Sequence, residues 1–394
     1  MSKAIKLLVV LATLLALAGS GVLAQGDVVA VTTVDTRLYD GPGREYAALG
    51  DVAAETALDV MGRDGLGHWL YVTAPDGRAG WVITGYTRFA DDGTDLRGLP
   101  LVDAEPGALD PEAPSMLGAT DDPDLMAAME RLLATPPLIN ADSPLLADVY
   151  AAGEASGNRA DVFTRVGDSD TTIDGYLRPI GIQNMRYCDF GPYAYLTETV
   201  QFFSVSPREG VLNSFDNTSI AARNGLTMAA ALDPLWADDP FCAANETPLA
   251  CEFRRVRPSI AVIMLGRMDT IYFSEDFFRR TAQRVLDATL AAGVIPILTT
   301  FVVLPDDPEW EASLVFNNTL VDLAEANGVP LINLWRAVQP LPQFGIGPDL
   351  THLSYAVGTF CAFTGSEQTY GGTMRNLLVL QALDEVRRST LEQR

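Results

Sequence analysis

The chain has 394 residues, of which 48% are hydrophobic and 20% are charged. That length leaves room for two or three domains, and the composition excludes both a disordered chain and a protein that crosses a membrane many times. Acidic residues outnumber basic ones 51 to 27, which gives a formal net charge of −24. A surface this negative repels phosphate backbones and anionic lipids, so nucleic acid is not an expected partner.

Residues 1–24 have the pattern of a secretory signal peptide. The only lysines, Lys3 and Lys6, precede an apolar run that ends in small residues at Ala24. This order favours cleavage before Gln25. The alternative is an uncleaved anchor, but a Gly-Ser-Gly break interrupts the apolar run. We therefore expect a secreted or extracytoplasmic protein that has no transmembrane anchor after signal cleavage.

Export to an oxidising compartment favours disulfides among the four cysteines. Cys242 and Cys251 enclose a short stretch with loop character, and their pairing would leave Cys188 and Cys361 to pair with each other. Sequence alone allows three connectivities, and this is the one that we predict. A metal site is not expected, because the chain has no CxxC pair and no cluster of histidines.

Residues 25–88 predict a small all-β domain, since short alternating runs are separated by glycine-containing turns. The succession of DGPG at 40–43, GHWL at 67–70 and DGRAGWV at 76–82 resembles the bacterial SH3-like domain of secreted proteins. The resemblance implies an SH3-like barrel whose ligand is a cell-wall peptide or glycan. Four aromatic side chains could line a binding groove, although a core role is commoner in so small a barrel: Trp69, Tyr71, Trp81 and Tyr86.

Residues 89–122 predict a linker, because this segment contains nine acidic residues and four prolines. Repulsion between like charges and the stiffness of proline both favour an extended chain. We therefore expect the folded parts on either side to be held apart rather than packed together.

From residue 123 to residue 394 the pattern changes to strands alternating with helices. Buried strands are predicted over 162–166, 260–265, 294–299 and 331–334. Helices are predicted over 275–292, before the stop signal of Gly293, and over 373–388. This alternation predicts an α/β fold with a parallel sheet, in which ligands bind at the carboxyl ends of the strands.

Three short motifs fall after the predicted strands: GDSD at 167–170, GRMD at 266–269 and DLTH at 349–352. A serine hydroxyl becomes a good nucleophile when a base takes its proton, and histidine can do this near neutral pH. We therefore pair Ser169 with His352, the only histidine after residue 68. Asp349, three positions before His352, can hold the imidazole in the useful tautomer. Gly225 is the candidate for a backbone N–H that stabilises an oxyanion.

Each motif alone is weak evidence. Ser169 could simply cap a helix, and His352 could be a surface-loop histidine. Their order along the chain and their placement after strands favour the catalytic interpretation.

These motifs resemble the SGNH or GDSL-type hydrolases, a superfamily of secreted serine esterases, over residues 161–352 and by extension to the last helix. The resemblance implies a flavodoxin-like three-layer sandwich with a parallel sheet and no metal or organic cofactor. It assigns the nucleophile to Ser169, the acid and base to Asp349 and His352, and one oxyanion donor to Gly225.

The third family block departs from this pattern, because Met268 stands where the family has an asparagine that donates to the oxyanion. A thioether cannot donate a hydrogen bond, and losing one such donor costs about 10² to 10³ in rate. A slow esterase, an esterase whose donor comes from Asn224 or Arg267, and a protein that only binds all remain open.

We predict a serine ester hydrolase that acts through an acyl-enzyme on acyl or acetyl esters of envelope or environmental carbohydrate. The alternative is a catalytically impaired envelope-binding protein.

Overall fold

The structure is a computed structural model that describes residues 28–102, 110, 116–181, 188–237 and 240–393. The predicted signal peptide, residues 1–24, lies outside these ranges. In the part of the chain that is described, no helix has the length and apolar character needed to cross a membrane.

The N-terminal part forms a seven-stranded sheet in the order β3-β2-β6-β5-β4-β1-β7. Its strands are β1 Val29–Thr32, β2 Thr36–Tyr39, β3 Ala48–Val52, β4 Ala57–Arg63, β5 Trp69–Thr73, β6 Ala79–Ile83 and β7 Thr87–Phe89. Neighbouring strands are antiparallel throughout. Alternation fixes which side chains face inward: in β2, Thr36 and Leu38 are buried while Arg37 is exposed. An SH3-like barrel remains a prediction for this part.

The C-terminal part contains a five-stranded sheet in the order β8-β12-β11-β10-β9. Its strands are β8 Leu138–Ile139, β9 Arg159–Gly167, β10 Pro258–Met264, β11 Ile295–Thr299 and β12 Leu331–Ile332. Strands β9 to β12 run parallel, and β8 joins the edge antiparallel to β12. Every residue of β10 is buried, as its unbroken apolar run predicts for a strand with parallel neighbours on both sides.

The described residues form twelve α-helices beside the two sheets. They are α1 Pro123–Ala134, α2 Leu145–Ala155, α3 Ser169–Thr172, α4 Arg178–Gly181, α5 Leu196–Phe202, α6 Met228–Ala231, α7 Pro248–Val256, α8 Asp269–Tyr272, α9 Glu275–Ala291, α10 Trp310–Asn327, α11 Leu334–Ala337 and α12 Gly371–Val386. The mixed α/β class predicted from the alternating pattern is therefore confirmed. The flavodoxin-like three-layer arrangement remains a prediction.

Helix α9 shows how the sequence determines these boundaries. The Ser274 side chain accepts from the Phe277 N–H and caps the first turn, while Phe278 and Val285 are buried. Gly293 follows the last turn with φ +66°, a conformation that glycine adopts without steric cost. The last predicted strand is shorter than expected and ends at Ile332, because the Asn333 side chain accepts from Arg336 N and starts α11.

The expectation that the two folded parts are held apart is wrong. Leu96, Leu99 and Met116, all within the predicted linker, are buried in one hydrophobic core shared by both parts. His68 Nε2 lies 2.8 Å from Gln381 Oε1 on α12, and this contact is also buried. The prediction considered only charges and prolines, whereas these three apolar side chains pack into the shared core.

Both predicted disulfides are present, between Cys188 and Cys361 and between Cys242 and Cys251. The aromatic residues of the N-terminal part have mainly a core role. Trp69 and Trp81 are 7% and 2% exposed, and half-buried Tyr71 and Tyr86 pack against them.

Candidate active site

Ser169 lies on a tight turn at the carboxyl end of β9. Strand β9 ends at Gly167, and Ser169 is the first residue of α3. A Cβ at Gly167 would lie 2.8 Å from the carbonyl oxygen of Met264 on β10 and against the Thr171 side chain. The close packing of this turn on the neighbouring strand therefore requires glycine. Ser169 is half-buried, so its hydroxyl sits at the protein surface.

His352 lies on a loop that is stabilised by backbone hydrogen bonds within the loop. Gly347 N donates to His352 O at 2.8 Å, and Ser354 N donates to Gly345 O at 2.8 Å. Asp349 Oδ1 accepts from the backbone N–H groups of Thr351 and His352, at 3.1 and 3.0 Å. An aspartate that bonds the backbone two and three positions onward stabilises a turn of this kind.

The structure brings together Ser169, His352 and Asp349. His352 Nε2 lies 3.0 Å from Ser169 Oγ, and His352 Nδ1 lies 2.7 Å from Asp349 Oδ2. An ionised carboxylate can only accept a hydrogen bond, so the neutral imidazole carries its proton on Nδ1. Nε2 is then the acceptor for the Ser169 hydroxyl, which is the arrangement that a general base requires.

The carboxyl groups around Ser169 have opposite pKa shifts. The hydrogen bond from His352 lowers the pKa of Asp349 to about 2. The same bond raises the pKa of His352 above its ordinary value of 6.5. Burial, assisted by the charge of Asp170, raises the pKa of Asp168 to about 7. Asp349 therefore stays ionised under ordinary conditions, whereas Asp168 titrates near neutral pH.

The loop that carries Gly225 passes beside the nucleophile turn. Gly167 N donates to Ala221 O, and Arg223 N donates to Gly167 O, both at 3.0 Å. Gly225 has φ +79°. In the described ranges, no protein group accepts from the backbone N–H of Gly225 or of Ser169. The backbone N–H of Ser169 itself is a second candidate oxyanion donor, which the sequence motifs did not indicate.

The GRMD segment is positioned by other interactions. Met268 is half-buried directly before α8. Arg267 Nη2 donates to Asp307 Oδ2 at 2.7 Å, and Asn224 Oδ1 accepts from Thr172 Oγ1 at 2.7 Å. These bonds fix the two side chains but leave donors free, because Asn224 only accepts and Arg267 Nη1 has no hydrogen-bond partner in the described structure. Asp269 is fully buried and accepts from Met228 N, which ties α8 to the start of α6.

Two further side chains contact the nucleophile turn, and the sequence analysis assigned neither. Asp170 Oδ1 accepts from Leu353 N at 3.2 Å, and Arg375 Nη2 donates to Asp170 O at 2.8 Å. Asp170 was visible in the GDSD motif, where it could have been noticed as a second acid. No local signal marks Arg375, which lies 205 positions further along the chain.

One group among the described residues has metal-ligand chemistry: Cys242, Glu246 and Cys251. The two cysteines are joined to each other, so neither offers a thiolate, and Glu246 pairs with Arg254 at 2.7 Å. This group therefore belongs to a stapled loop.

Several solved structures resemble part of this chain. A GDSL-like lipase from Bacteroides thetaiotaomicron VPI-5482 is 14% identical, with 61% of this chain and 98% of that chain covered and a TM-score of 0.34. An alpha/beta hydrolase enzyme from the metagenome of Lake Arreo, Spain, is 16% identical, with 58% and 96% covered and a TM-score of 0.35. An acetylxylan esterase from Geobacillus stearothermophilus is 19% identical, with 58% and 94% covered and a TM-score of 0.32.

No family model and no curated protein matches the sequence. Because the structural identities and scores are this low, the function proposed below rests on the geometry of the site itself.

Proposed function

We propose that this chain is an exported serine ester hydrolase of the SGNH type that works through an acyl-enzyme on Ser169. The observation that carries the proposal is the continuous hydrogen-bonded series from Asp349 through His352 to Ser169, with distances of 2.7 and 3.0 Å. Nucleophile, base and orienting acid come from two separate segments that meet beyond the carboxyl end of β9. A purely structural serine and histidine would have no need of this order.

The reaction follows from the positions of the protons. His352 Nε2 takes the Ser169 hydroxyl proton while Oγ attacks the ester carbonyl carbon. The tetrahedral intermediate collapses, the alcohol leaves with the proton from Nε2, and the acyl group stays on Oγ. A water molecule then attacks the acyl-enzyme with His352 again as base, which releases the carboxylic acid and restores the hydroxyl.

Each negatively charged intermediate needs hydrogen-bond donors near its oxygen. The backbone N–H groups of Ser169 and Gly225 are the proposed donors. Met268 supplies none, so we propose a catalyst of modest rate. Asp349 holds the His352 tautomer and stabilises the imidazolium that forms in each step.

The proposed substrate is an acyl or acetyl ester of envelope or environmental carbohydrate. The net charge of −24 disfavours polyanionic substrates. The N-terminal part is proposed to bring the enzyme to a wall peptide or glycan. The two disulfides support an oxidising, extracytoplasmic compartment. N-terminal sequencing that finds Gln25 first would support export, whereas retained Met1 would contradict it.

A fluorophosphonate probe tests the proposed nucleophile directly. We expect covalent labelling of the wild-type protein and none of Ser169→Ala. Ser204→Ala is the matched control, because Ser204 is an exposed serine whose hydroxyl bonds a helix carbonyl, that of Val200. Its labelling should equal that of the wild type. Equal labelling of Ser169→Ala and the wild type would refute the assignment.

The second candidate function is envelope binding without catalysis, and the half-buried Met268 is the observation that favours it. This candidate predicts no labelling at any pH, no hydrolysis of short nitrophenyl esters or acetylated glycans, and retained binding to wall glycan. Hydrolysis that disappears in Ser169→Ala would exclude it.

A further inference from the structure

Asp170 connects the segment that carries Ser169 to the segment that carries His352. It follows Ser169 directly in α3, and its carboxylate Oδ1 accepts from the backbone N–H of Leu353 at 3.2 Å. Leu353 follows His352 directly and is 3% exposed. The bond therefore joins the residue after the nucleophile to the residue after the base.

The backbone carbonyl of Asp170 accepts a hydrogen bond from a buried arginine, Arg375. Arg375 Nη2 donates to the Asp170 carbonyl at 2.8 Å, and Arg375 Nη1 lies 3.4 Å from the sulfur of Met264. Arg375 is 1% exposed, and its guanidinium lies 3.9 Å from the centre of the Tyr176 ring. Among the described residues, Arg375 forms no salt bridge with a carboxylate, and its Nε has no hydrogen-bond partner.

A buried guanidinium without a contacting carboxylate carries a large desolvation cost, so its retention calls for a compensating role. The carbonyl of Asp170 is one of the few groups that it touches. Helix α12 therefore places a rigid donor under the turn that presents Ser169. The position of the Asp170 carboxylate is fixed in turn relative to the His352 loop.

We propose that Asp170 is a positioning residue that sets His352 against Ser169, with its carboxylate holding the His352 loop and its carbonyl held by Arg375. The kinetic consequence rests on the proposed function, but the placement of His352 is a property of the fold and can be measured without turnover.

The Asp170 charge also acts on the base. The charged groups that act on His352 are Asp349 on its own loop and Asp168 and Asp170 on the nucleophile turn, and all three raise its pKa. Removing the charge of Asp170 therefore lowers the pKa of His352. Asp170→Asn and Asp170→Ala both remove this charge, so a His352 pKa that differs between the two variants reports the lost bond to Leu353 N and not the lost charge.

Histidine NMR provides the direct measurement, because the chain contains only two histidines. His352→Gln assigns the signals. The pKa of His352 is then titrated in the wild type, Asp170→Asn, Asp170→Ala and the control Asp174→Asn. Asp174 is four positions away and pairs at the surface with Arg178, at 2.6 Å. Nitrophenyl ester kinetics are measured on the same four proteins.

We expect Asp170→Asn to lower the pKa of His352 and to keep kcat within about threefold, because the amide oxygen still accepts from Leu353 N. Asp170→Ala should also lower the pKa and reduce kcat roughly 10- to 10²-fold at unchanged KM, since the loop loses its anchor. Asp174→Asn should change neither quantity.

A folded Asp170→Ala protein with wild-type kcat and an unchanged His352 pKa would overturn the proposal. If Asp170→Ala does not fold, Asp170→Ser takes its place, since it also lacks the charge and is too short to reach Leu353 N, and equal kcat and equal His352 pKa in Asp170→Ser and Asp170→Asn overturn the proposal. If the wild type hydrolyses no ester and takes no fluorophosphonate, the proposed function fails. The NMR titration then decides the placement alone, by the same criterion.

Discussion

At the scale of single residues, Asp349 and Asp168 show how position determines the chemistry of a carboxyl group. Asp349 is exposed and receives the imidazole hydrogen bond, which lowers its pKa to about 2. Asp168 is 5% exposed, and the loss of solvent raises its pKa to about 7. Asp349 can therefore act as the permanently charged partner of His352, whereas the Asp168 carboxyl is protonated in mild acid.

The hydrogen bond to Asp349 gives the proposed enzyme a predictable pH dependence. A general base works in its neutral form, and the pKa of His352 is raised above 6.5. We expect kcat/KM to rise with pH through a value above 6.5. Asp349→Asn removes the largest cause of the shift, so it should lower both this apparent pKa and the rate. A pH–rate profile of each protein is the measurement.

The two histidines supply the control for this prediction. His352→Ala should abolish turnover. His68 lies in the N-terminal part and is buried against Gln381. His68→Ala should therefore keep turnover per folded molecule while lowering stability by roughly 1–3 kcal/mol, the cost of an unpaired buried polar group. Loss of turnover in a fully folded His68→Ala protein would contradict the assignment of His352 as the base.

Met268 allows a gain of activity to be predicted. In the proposed hydrolase, Met268→Asn restores an amide N–H at the position where the SGNH pattern has its oxyanion asparagine. The rate could rise by as much as roughly 10², the effect of one oxyanion donor. Measured steady-state kinetics should show the gain in kcat at nearly unchanged KM, because the contact strengthens in the transition state.

The outcome of Met268→Asn also separates the remaining possibilities. A folded but no faster variant of an active parent would mean that other groups already supply the donor. Asn224→Ala and Arg267→Ala are then the next tests, because the Asn224 amide only accepts from Thr172 and Arg267 Nη1 has no hydrogen-bond partner in the described structure.

The sequence indicated Ser169, Asp349 and His352 as candidates because each lies in a short motif after a predicted strand, and local spacing is visible without coordinates. Asp170 and Arg375 escaped because their roles depend on contacts between segments 183 and 205 positions apart. Hydrophobic periodicity predicts that α12 is a helix, but it cannot predict which loop one of its arginines will meet.

At the scale of elements, predictions succeeded where one pattern dominates and failed where two compete. Strands β9 to β11 and helix α9 lie close to their predicted positions, because each has a single strong period. The 89–122 segment combines acidic and proline residues with Leu96, Leu99 and Met116, and these three side chains are buried in the part of the segment that the structure describes. Hydrophobic burial outweighs the mutual repulsion of exposed charges, which solvent and salt screen.

The two disulfides should contribute unequally to stability. Cys188–Cys361 closes a loop with a sequence separation of 173, whereas Cys242–Cys251 has a separation of 9. The chain-entropy relation gives about 5 kcal/mol for the first and about 2.6 kcal/mol for the second. Urea unfolding should therefore show a larger loss for the Cys188→Ser/Cys361→Ser double variant than for Cys242→Ser/Cys251→Ser. Equal losses in the free energy of unfolding would contradict the loop-length argument. Thiol titration of the native wild type should find no free thiol.

At the scale of the whole molecule, the two parts share an apolar core and also bury a carboxyl group, that of Glu367, between them. Glu367 is 0% exposed and lies against Gly85, which is in the turn between β6 and β7. One carboxylate oxygen accepts from Gly365 N at 2.9 Å, and the other has no hydrogen-bond partner in the described structure. Burial raises the pKa of Glu367 from 4.5 to about 7.

This buried acid makes the joint between the two parts sensitive to pH. In the folded state Glu367 keeps its proton up to about pH 7, whereas in the unfolded chain it loses it near its ordinary value of 4.5. Its contribution to stability is therefore fully present below pH 4.5 and is lost as the pH rises through about 7.

The variant Glu367→Gln tests this pH dependence, because it keeps the shape and an acceptor for Gly365 N but cannot ionise. We expect this variant to unfold at higher urea than the wild type at pH 8, by on the order of 1–3 kcal/mol, and to match it at pH 4. Glu325→Gln, at an exposed carboxylate paired with Arg131, is the control and should show no such crossover with pH. A wild type and a Glu367→Gln variant that differ by the same amount at both pH values would show that the Glu367 carboxyl is solvated, and that the two parts are not closed over it.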